Sequence, residues 1–224
     1  MRNGYQCGMV WGSALAAGAE AYRCFGGGDR AETASLVAAQ RIVESFRAQN
    51  GAVDCFDLTD TDFSSPAQMW KYLLSGKPIG CFRMAARYAP VAFEEIRAAL
   101  GNELADAPAA PVSCSALVVR RLGASDLHAV MAAGFAGGIG LSGGACGALG
   151  AVAWLDAMSG GGDHRAAEAR ATRIVERFLN VSGHMFECSE IVGRRFVDGA
   201  DHAAHLRDGG CARILEALSA ERPT

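Results

Sequence analysis

No Cys-x-x-Cys pair occurs in this 224-residue chain, although it carries eight cysteines. Structural zinc sites and bacterial ferredoxin sites normally begin from such a close pair, so spacing alone names no metal. A P-loop, a Rossmann glycine pattern after a strand, a nucleophile elbow and His-Glu-x-x-His are missing too. The motif-based grounds for nucleotide, hydrolase or metalloprotease chemistry go with them. No basic run reaches five residues and the net charge is −3, so nucleic acid and acidic membrane surfaces are poor partners. No apolar stretch of about 18 residues is free of charges or glycine clusters, which argues against an integral membrane protein. β-Branched clusters are few and short while alanine is abundant, so helix is the favoured element.

The composition, 50% hydrophobic and 20% charged, is that of a well-buried globular chain. Its length suffices for one full core or two small ones. Arg2, the apolar run from Met9 to Gly18 and the following Ala-Glu-Ala could pass for a weak signal peptide. Gly12 and Ser13 break that run, and the segment is part of a repeat, so it is read as part of the fold. The compartment expected is then the reducing cytoplasm. There, eight cysteines point to metal or redox chemistry more than to a disulfide framework.

The chain copies itself in order. Cys7-Gly8 opens an apolar helix, as Cys146-Gly147 does. Gly26-Gly-Gly-Asp29 matches Gly160–Gly162 with Asp163, and Arg41-Ile-Val-Glu-Ser-Phe46 matches Arg173-Ile-Val-Glu-Arg-Phe178. Cys55 and Cys188 follow those phenylalanines, and Gly80-Cys81 and Gly210-Cys211 each precede a last apolar helix. So many ordered matches imply duplication. The pattern predicts helices over 7–23, 30–48, 67–74 and 82–100 in the first half, the last kinked or split at Pro90. Asn50-Gly51 should close the second of these. In the second half, helices are expected over 113–121, 125–133, 145–158, 164–180, 186–195 and 200–219. Ala105 to Pro111 is the linker-like stretch between the halves.

Between Gly134 and Cys146 stands a glycine-rich loop, with Gly134, Gly137, Gly138, Gly140, Gly143 and Gly144. It should leave Cys146 thinly covered at a helix start, where orphan N–H groups favour a thiolate. Cys146 is therefore expected to be the most acidic thiol of its half. Cys114, Cys146, Cys188 and Cys211 are far apart in sequence, a spacing compatible with separate helices each delivering one ligand into a bundle core. Plain burial is the competing reading, since cysteine is among the most buried residue types. All five histidines lie in the second half. His202 and His205 share a helix face and could bind a metal, though an exposed or capping role is the more ordinary one. His184 lies four residues before Cys188 and could tune it. Trp11 and Trp154 read as core.

These residues carry a family resemblance. Ser113-Cys114-Ser-Ala116, the loop Gly134-Phe-Ala-Gly-Gly-Ile-Gly140, Gly144-Ala-Cys146-Gly-Ala148, Cys188 and Cys211 together resemble the putative redox-active proteins named C_GCAxxG_C_C. Ala136 stands where a loop glycine belongs. The first half looks like the same module without its beginning, because nothing corresponding to Cys114 or the glycine loop precedes Cys7. Cys24 is extra. The resemblance implies redox activity centred on the cysteines. In a related domain fused to a split-Soret type cytochrome, the four cysteines are associated with an iron–sulfur centre.

The resulting expectations are these. The fold is an all-α helical bundle of two related halves about an approximate two-fold axis. Residues 1–104 form a truncated copy, 105–112 the linker and 113–224 the complete module. Cys114, Cys146, Cys188 and Cys211 are the catalytic and metal-ligating candidates, and Cys7, Cys55, Cys81, Gly143 and Gly144 are candidates for binding a cofactor. The function is electron transfer through an iron–sulfur or other metal centre, or dithiol/disulfide exchange. The alternative is a non-catalytic helical module with structural or metal-storing cysteines. A redox protein and a second copy of the chain are the partners that fit.

Overall fold

A computed structural model describes residues 5–101, 110–159 and 164–220. The described residues form twelve α-helices and no strand. In the first half these are α1 (Gly8–Phe25), α2 (Asp29–Asn50), α3 (Cys55–Thr59), α4 (Pro66–Leu74) and α5 (Lys77–Gly101). The second half contains α6 (Cys114–Arg121), α7 (Asp126–Ala133), α8 (Gly147–Ser159), α9 (His164–Ser182), α10 (Cys188–Val192), α11 (Gly199–Arg207) and α12 (Ala212–Ser219). Most of the expected linker, and the Gly160–Asp163 turn, lie outside the described residues.

Local chemistry accounts for the main boundaries. Leu36, Ala39, Val43 and Phe46 recur on one face of α2 and are buried. Gly51, at φ 83°, ends that helix by donating its N–H to Arg47 O at 2.8 Å, a left-handed stop that glycine adopts without steric cost. Ser113 caps α6, its hydroxyl accepting from Ala116 N–H at 3.2 Å. Ser125 stands at the N-cap of α7, but its hydroxyl bonds His128 Nδ1 at 2.8 Å instead.

Several expectations need correction. α5 runs through Pro90 without splitting. Pro90 and Ala86 are exposed there, so water can meet the carbonyl that proline leaves unpaired. That helix also begins at Lys77, which puts Cys81 about one turn inside it rather than at its start. The polar stretch after Asp54 contains the short helix α3. The single helix expected over 200–219 is two, α11 and α12, separated by a turn with Gly209 at φ 83°.

Helix α1 packs against α2 and α7, and α2 also packs against α5 and α7. α6 packs on α7 and α8, while α9 lies against α8 and α12. One continuous core therefore joins both halves, including Val10, Phe46, Phe135 and Phe178. Trp11 seals the join edge-on to Phe135, with ring centroids 4.6 Å apart. Across the same join Arg120 of α6 pairs with the buried Glu32 of α2.

Two isolated antiparallel bridges stand outside the helices, Gln6 with Asp54 and Ala145 with Glu187. Their hydrogen bonds correspond closely. Cys7 N–H donates to Val53 O at 2.7 Å and Cys55 N–H to Tyr5 O at 3.1 Å. Cys146 N–H donates to Phe186 O at 2.8 Å and Cys188 N–H to Gly144 O at 2.7 Å. Each bridge thus launches two helices, and each of those helices has a cysteine at its start.

Candidate functional site

Four elements bring one cysteine each to a single place. Cys114 opens α6, Cys146 directly precedes α8, Cys188 opens α10, and Cys211 is the N-cap of α12 at φ 62°. Together with His202 they line a cavity of about 20 Å³ walled by Ile191, Phe196 and Ile214. That is room for about one water molecule. Among the described residues no three His, Cys, Asp or Glu side chains are arranged to hold a single metal ion. All eight cysteines are free thiols.

Burial sets most of the electrostatics. It pushes the thiols of Cys146 and Cys211 up to about 12, with the nearby Cys114 charge adding to the effect. Cys188 is raised in the same way. N–H groups of Ala148 and Leu149 do point at the Cys146 sulfur, as a helix start provides, but desolvation outweighs them. The expectation that Cys146 is the most acidic thiol of this half is therefore corrected.

Cys114 behaves oppositely. Burial pushes its thiol up, but the charge and hydrogen bond of His202, with the Gly137 N–H, bring it below the ordinary thiol value. Burial depresses the His202 imidazolium, and Cys114 more than restores it. His202 Nδ1 lies 3.0 Å from Val112 O. A carbonyl only accepts, so Nδ1 carries a proton and Nε2 is the nitrogen left for the Cys114 sulfur. His205 Nε2 lies 3.8 Å from Cys211 Sγ. An exposed or capping role is overturned for His202, which is only 1% exposed; His205 is half-buried in the last turn of α11, and both rings pack beside Phe196. The His-x-x-His spacing was the available signal. What it could not give was that α11 turns this face toward the thiols. His184 is exposed at φ 63°, and it is not among the groups that act on the Cys188 thiol.

The glycine loop serves packing more than exposure. An added Cβ at Gly147 would sit 1.8 Å from Phe135 O, so only glycine lets the start of α8 meet the loop. Gly137 lines the cavity and donates to Cys114. Gly143 and Gly144 instead form the backbone bridge to α10. Gly143 O accepts from Ser189 N–H at 3.0 Å, and Gly144 O accepts from Cys188 N–H. Gln6 Nε2 reaches this loop from the first half, donating to Gly138 O at 3.1 Å.

A second group of thiols forms in the first half. Cys7 and Cys55 are hydrogen-bonded to one another. That bond, helped by the Met9 and Val10 N–H groups, lowers Cys7 to about 6 despite burial. Cys55 keeps the shared proton, and its own pKa is raised. Cys81 is within electrostatic reach of Cys55, and its sulfur lies 3.3 Å from the Tyr72 hydroxyl. Beside it opens a cleft of about 320 Å³, lined by Leu58, Thr59, Lys77, Cys81, Met84 and Arg87 among others. Cys24 is exposed, its sulfur contacting Glu20 and Arg23, and it joins neither group.

No helix among the described residues is long and apolar enough to cross a membrane. No curated protein and no solved structure matches the chain. Residues 112–220, which hold all four cysteines of the closed site, match the family model described as "Putative redox-active protein (C_GCAxxG_C_C)".

Proposed function

We propose that Cys114, Cys146, Cys188 and Cys211 form the ligand set of an iron–sulfur centre through which the protein passes electrons to and from a redox partner in the cytoplasm. The observation that carries this reading is the convergence of four thiols, from four separate elements, on one closed apolar cavity. Four cysteine thiolates are the usual ligand set of such centres. Thiols raised this far by burial cannot ionise together without a cation to compensate them. Bound there, the group would supply one-electron chemistry. The residues do the rest. Gly137 N–H and His202 donate to the Cys114 sulfur, and such hydrogen bonds set the potential of the centre. Ile191, Phe196 and Ile214 exclude water.

The two halves are read as copies of one module. Their cysteines follow equivalent bridges, and α1–α5 parallel α8–α12 in order. Dithiol/disulfide exchange within the closed site is the second reading, favoured by the Cys114–His202 pair, whose geometry suits a stabilised thiolate.

Anaerobic purification followed by iron and acid-labile sulfide assays and a visible spectrum tests the main reading. Iron and sulfide bound to the full chain, and lost in Cys146→Ser, are expected. Protein that stays colourless after anaerobic reconstitution with iron and sulfide would sink it. A disulfide among the four cysteines would then support exchange.

A further inference from the structure

We propose that Cys7 and Cys55 are a second redox site, a dithiol that exchanges with small anionic disulfides admitted through the cleft beside Cys81. This site lies outside the residues that match the family, and it stands whether or not the closed site binds iron.

Geometry carries the inference. The bridge between Gln6 and Asp54 holds the two cysteines in one frame, and their sulfurs already share a hydrogen bond. N–H groups of Met9 and Val10 are aimed at Cys7 Sγ, and that of Gly8 at Cys55 Sγ. Those donors belong to the first turn of α1, where negative charge is stabilised. Such an environment favours a thiolate on Cys7 with a protonated resolving thiol next to it. The cleft runs between the end of α3, which Cys55 begins, and α5; Cys81 lines it, while Cys7 and Cys55 do not, and the pair meets it through Cys81, which is within electrostatic reach of Cys55. The positive charges of Lys77 and Arg87 on its wall attract a ligand bearing carboxylates, while the three donors of Lys77 Nζ hold the end of α3 through Thr59 O, Asp60 O at 3.1 Å and Thr61 Oγ1.

The chemistry balances as two exchange steps. Cys7 thiolate attacks one sulfur of the external disulfide. The new bond joins Cys7 to that half, and the other half leaves as a thiolate, which takes a proton from solvent. Cys55 sulfur then attacks Cys7 sulfur. A Cys7–Cys55 disulfide forms, and the second half leaves, taking the proton of Cys55. Two protein thiols are oxidised by two electrons and one small disulfide is reduced to two thiols. Excess small thiol reverses both steps.

The test uses the reduced full-length chain and one equivalent of oxidised glutathione, with acid quench and peptide mapping by mass spectrometry. A Cys7–Cys55 linked peptide with two glutathiones released per chain is expected. Hydroxyethyl disulfide, which lacks carboxylates, should react on the order of tenfold more slowly, consistent with electrostatic attraction to the cleft. Cys55→Ser should stop at glutathione attached to Cys7. Cys7→Ser should slow the reaction by at least about tenfold, the attacking thiolate being gone. The proposal is overturned if the wild-type chain leaves Cys7 and Cys55 free while the urea-unfolded chain reacts. Linkage of either cysteine to Cys81 as the main product would also overturn it. Neither wild-type result depends on how the variants fold.

Discussion

Cys7 and Cys146 occupy the same local frame. Each follows a bridge residue, starts an apolar helix, is followed by glycine, and is 9% exposed. Each receives N–H groups from the residues two and three positions on. Yet one thiol lies at about 6 and the other at about 12. A helix start is worth about 0.3–1 kcal/mol, rarely about 2, which is under about 1.5 pKa units. It cannot decide between those values. The partners decide. Cys7 has a protonated thiol donating to it, in a cluster beside an open cleft. Cys146 sits in a closed apolar cavity with the charge of Cys114 nearby. One backbone frame thus serves two thiol groups, and the neighbours each cysteine meets, not its helix start, set its acidity.

The sharpest way to break this comparison is to open the closed site. In Gly147→Ala the new methyl would lie 1.8 Å from Phe135 O, a backbone atom that cannot step aside cheaply. A stability loss of about 3 kcal/mol or more is expected, in the range of severe overpacking. Urea denaturation would measure it. A loss below about 1 kcal/mol would mean that α8 and the loop are not tightly joined.

Thiol chemistry comes next. At neutral pH the thiolate fraction of Cys7 exceeds that of Cys146 by about five orders of magnitude. Lower basicity gives back about three of them through weaker nucleophilicity. Iodoacetamide labelling should therefore favour Cys7 over Cys146 by on the order of 100-fold at pH 7. Labelling of Cys7 should fall off as pH drops through about 6. Residue-resolved mass spectrometry reads both. Equal rates would remove the contrast between the sites.

The ion pair across the halves asks whether closure depends on the first half. Glu32 is 1% exposed and Arg120 is partly exposed. Breaking a fully buried pair costs about 3–5 kcal/mol. Because solvent screens the outer side of Arg120, about 2–3 kcal/mol is expected for Arg120→Met at pH 7. The pH sign is fixed. Burial raises Glu32 above its usual value, and Arg120 partly opposes this. A raised carboxyl contributes its stability below the unfolded value of about 4.5 and loses it as pH rises through the folded value. Without Arg120 the folded value climbs further, so the variant should lie nearest wild type at about pH 4 and fall behind toward pH 7. Urea melts at both pH values would show this, and a constant gap would exclude it.

How legible the two sites were in the sequence follows the same divide. The helix starts at Cys7, Cys114, Cys146 and Cys188 were readable, because glycine, serine and alanine periodicity are local signals. The grouping of Cys114, Cys146, Cys188 and Cys211 was approachable through order and family pattern. The acidity of Cys146 was not, since desolvation depends on walls such as Ile191 and Phe196 contributed from elsewhere in the chain. The Cys114–His202 pair was hidden for a related reason. It requires α11 to fold back beside α6, and the turn around Gly209 that separates α11 from α12 was read as continuous helix. Cys81 misled differently. A glycine before it suggested a helix start, but Lys77 and Pro78 begin α5 earlier.

The smallest expected effect is the one that separates the halves most cleanly. Gly8 follows Cys7 as Gly147 follows Cys146, yet an added Cβ there meets nothing within 4 Å. Gly8 is the first residue of α1, with no positive φ, so alanine adopts its conformation without strain. Its N–H, which points at Cys55 Sγ, is unchanged by the substitution. Alanine loses less backbone entropy than glycine on entering a helix, a gain of up to about 0.5–1 kcal/mol in a helix interior and less at the first position. Gly8→Ala should therefore be neutral or stabilising by a few tenths of a kcal/mol, with Cys7 labelling unaltered. A loss of more than about 1 kcal/mol in the same urea measurement would show that the first-half bridge is closed like the second. The contrast between an open and a closed site would then fail at its most nearly equivalent residue.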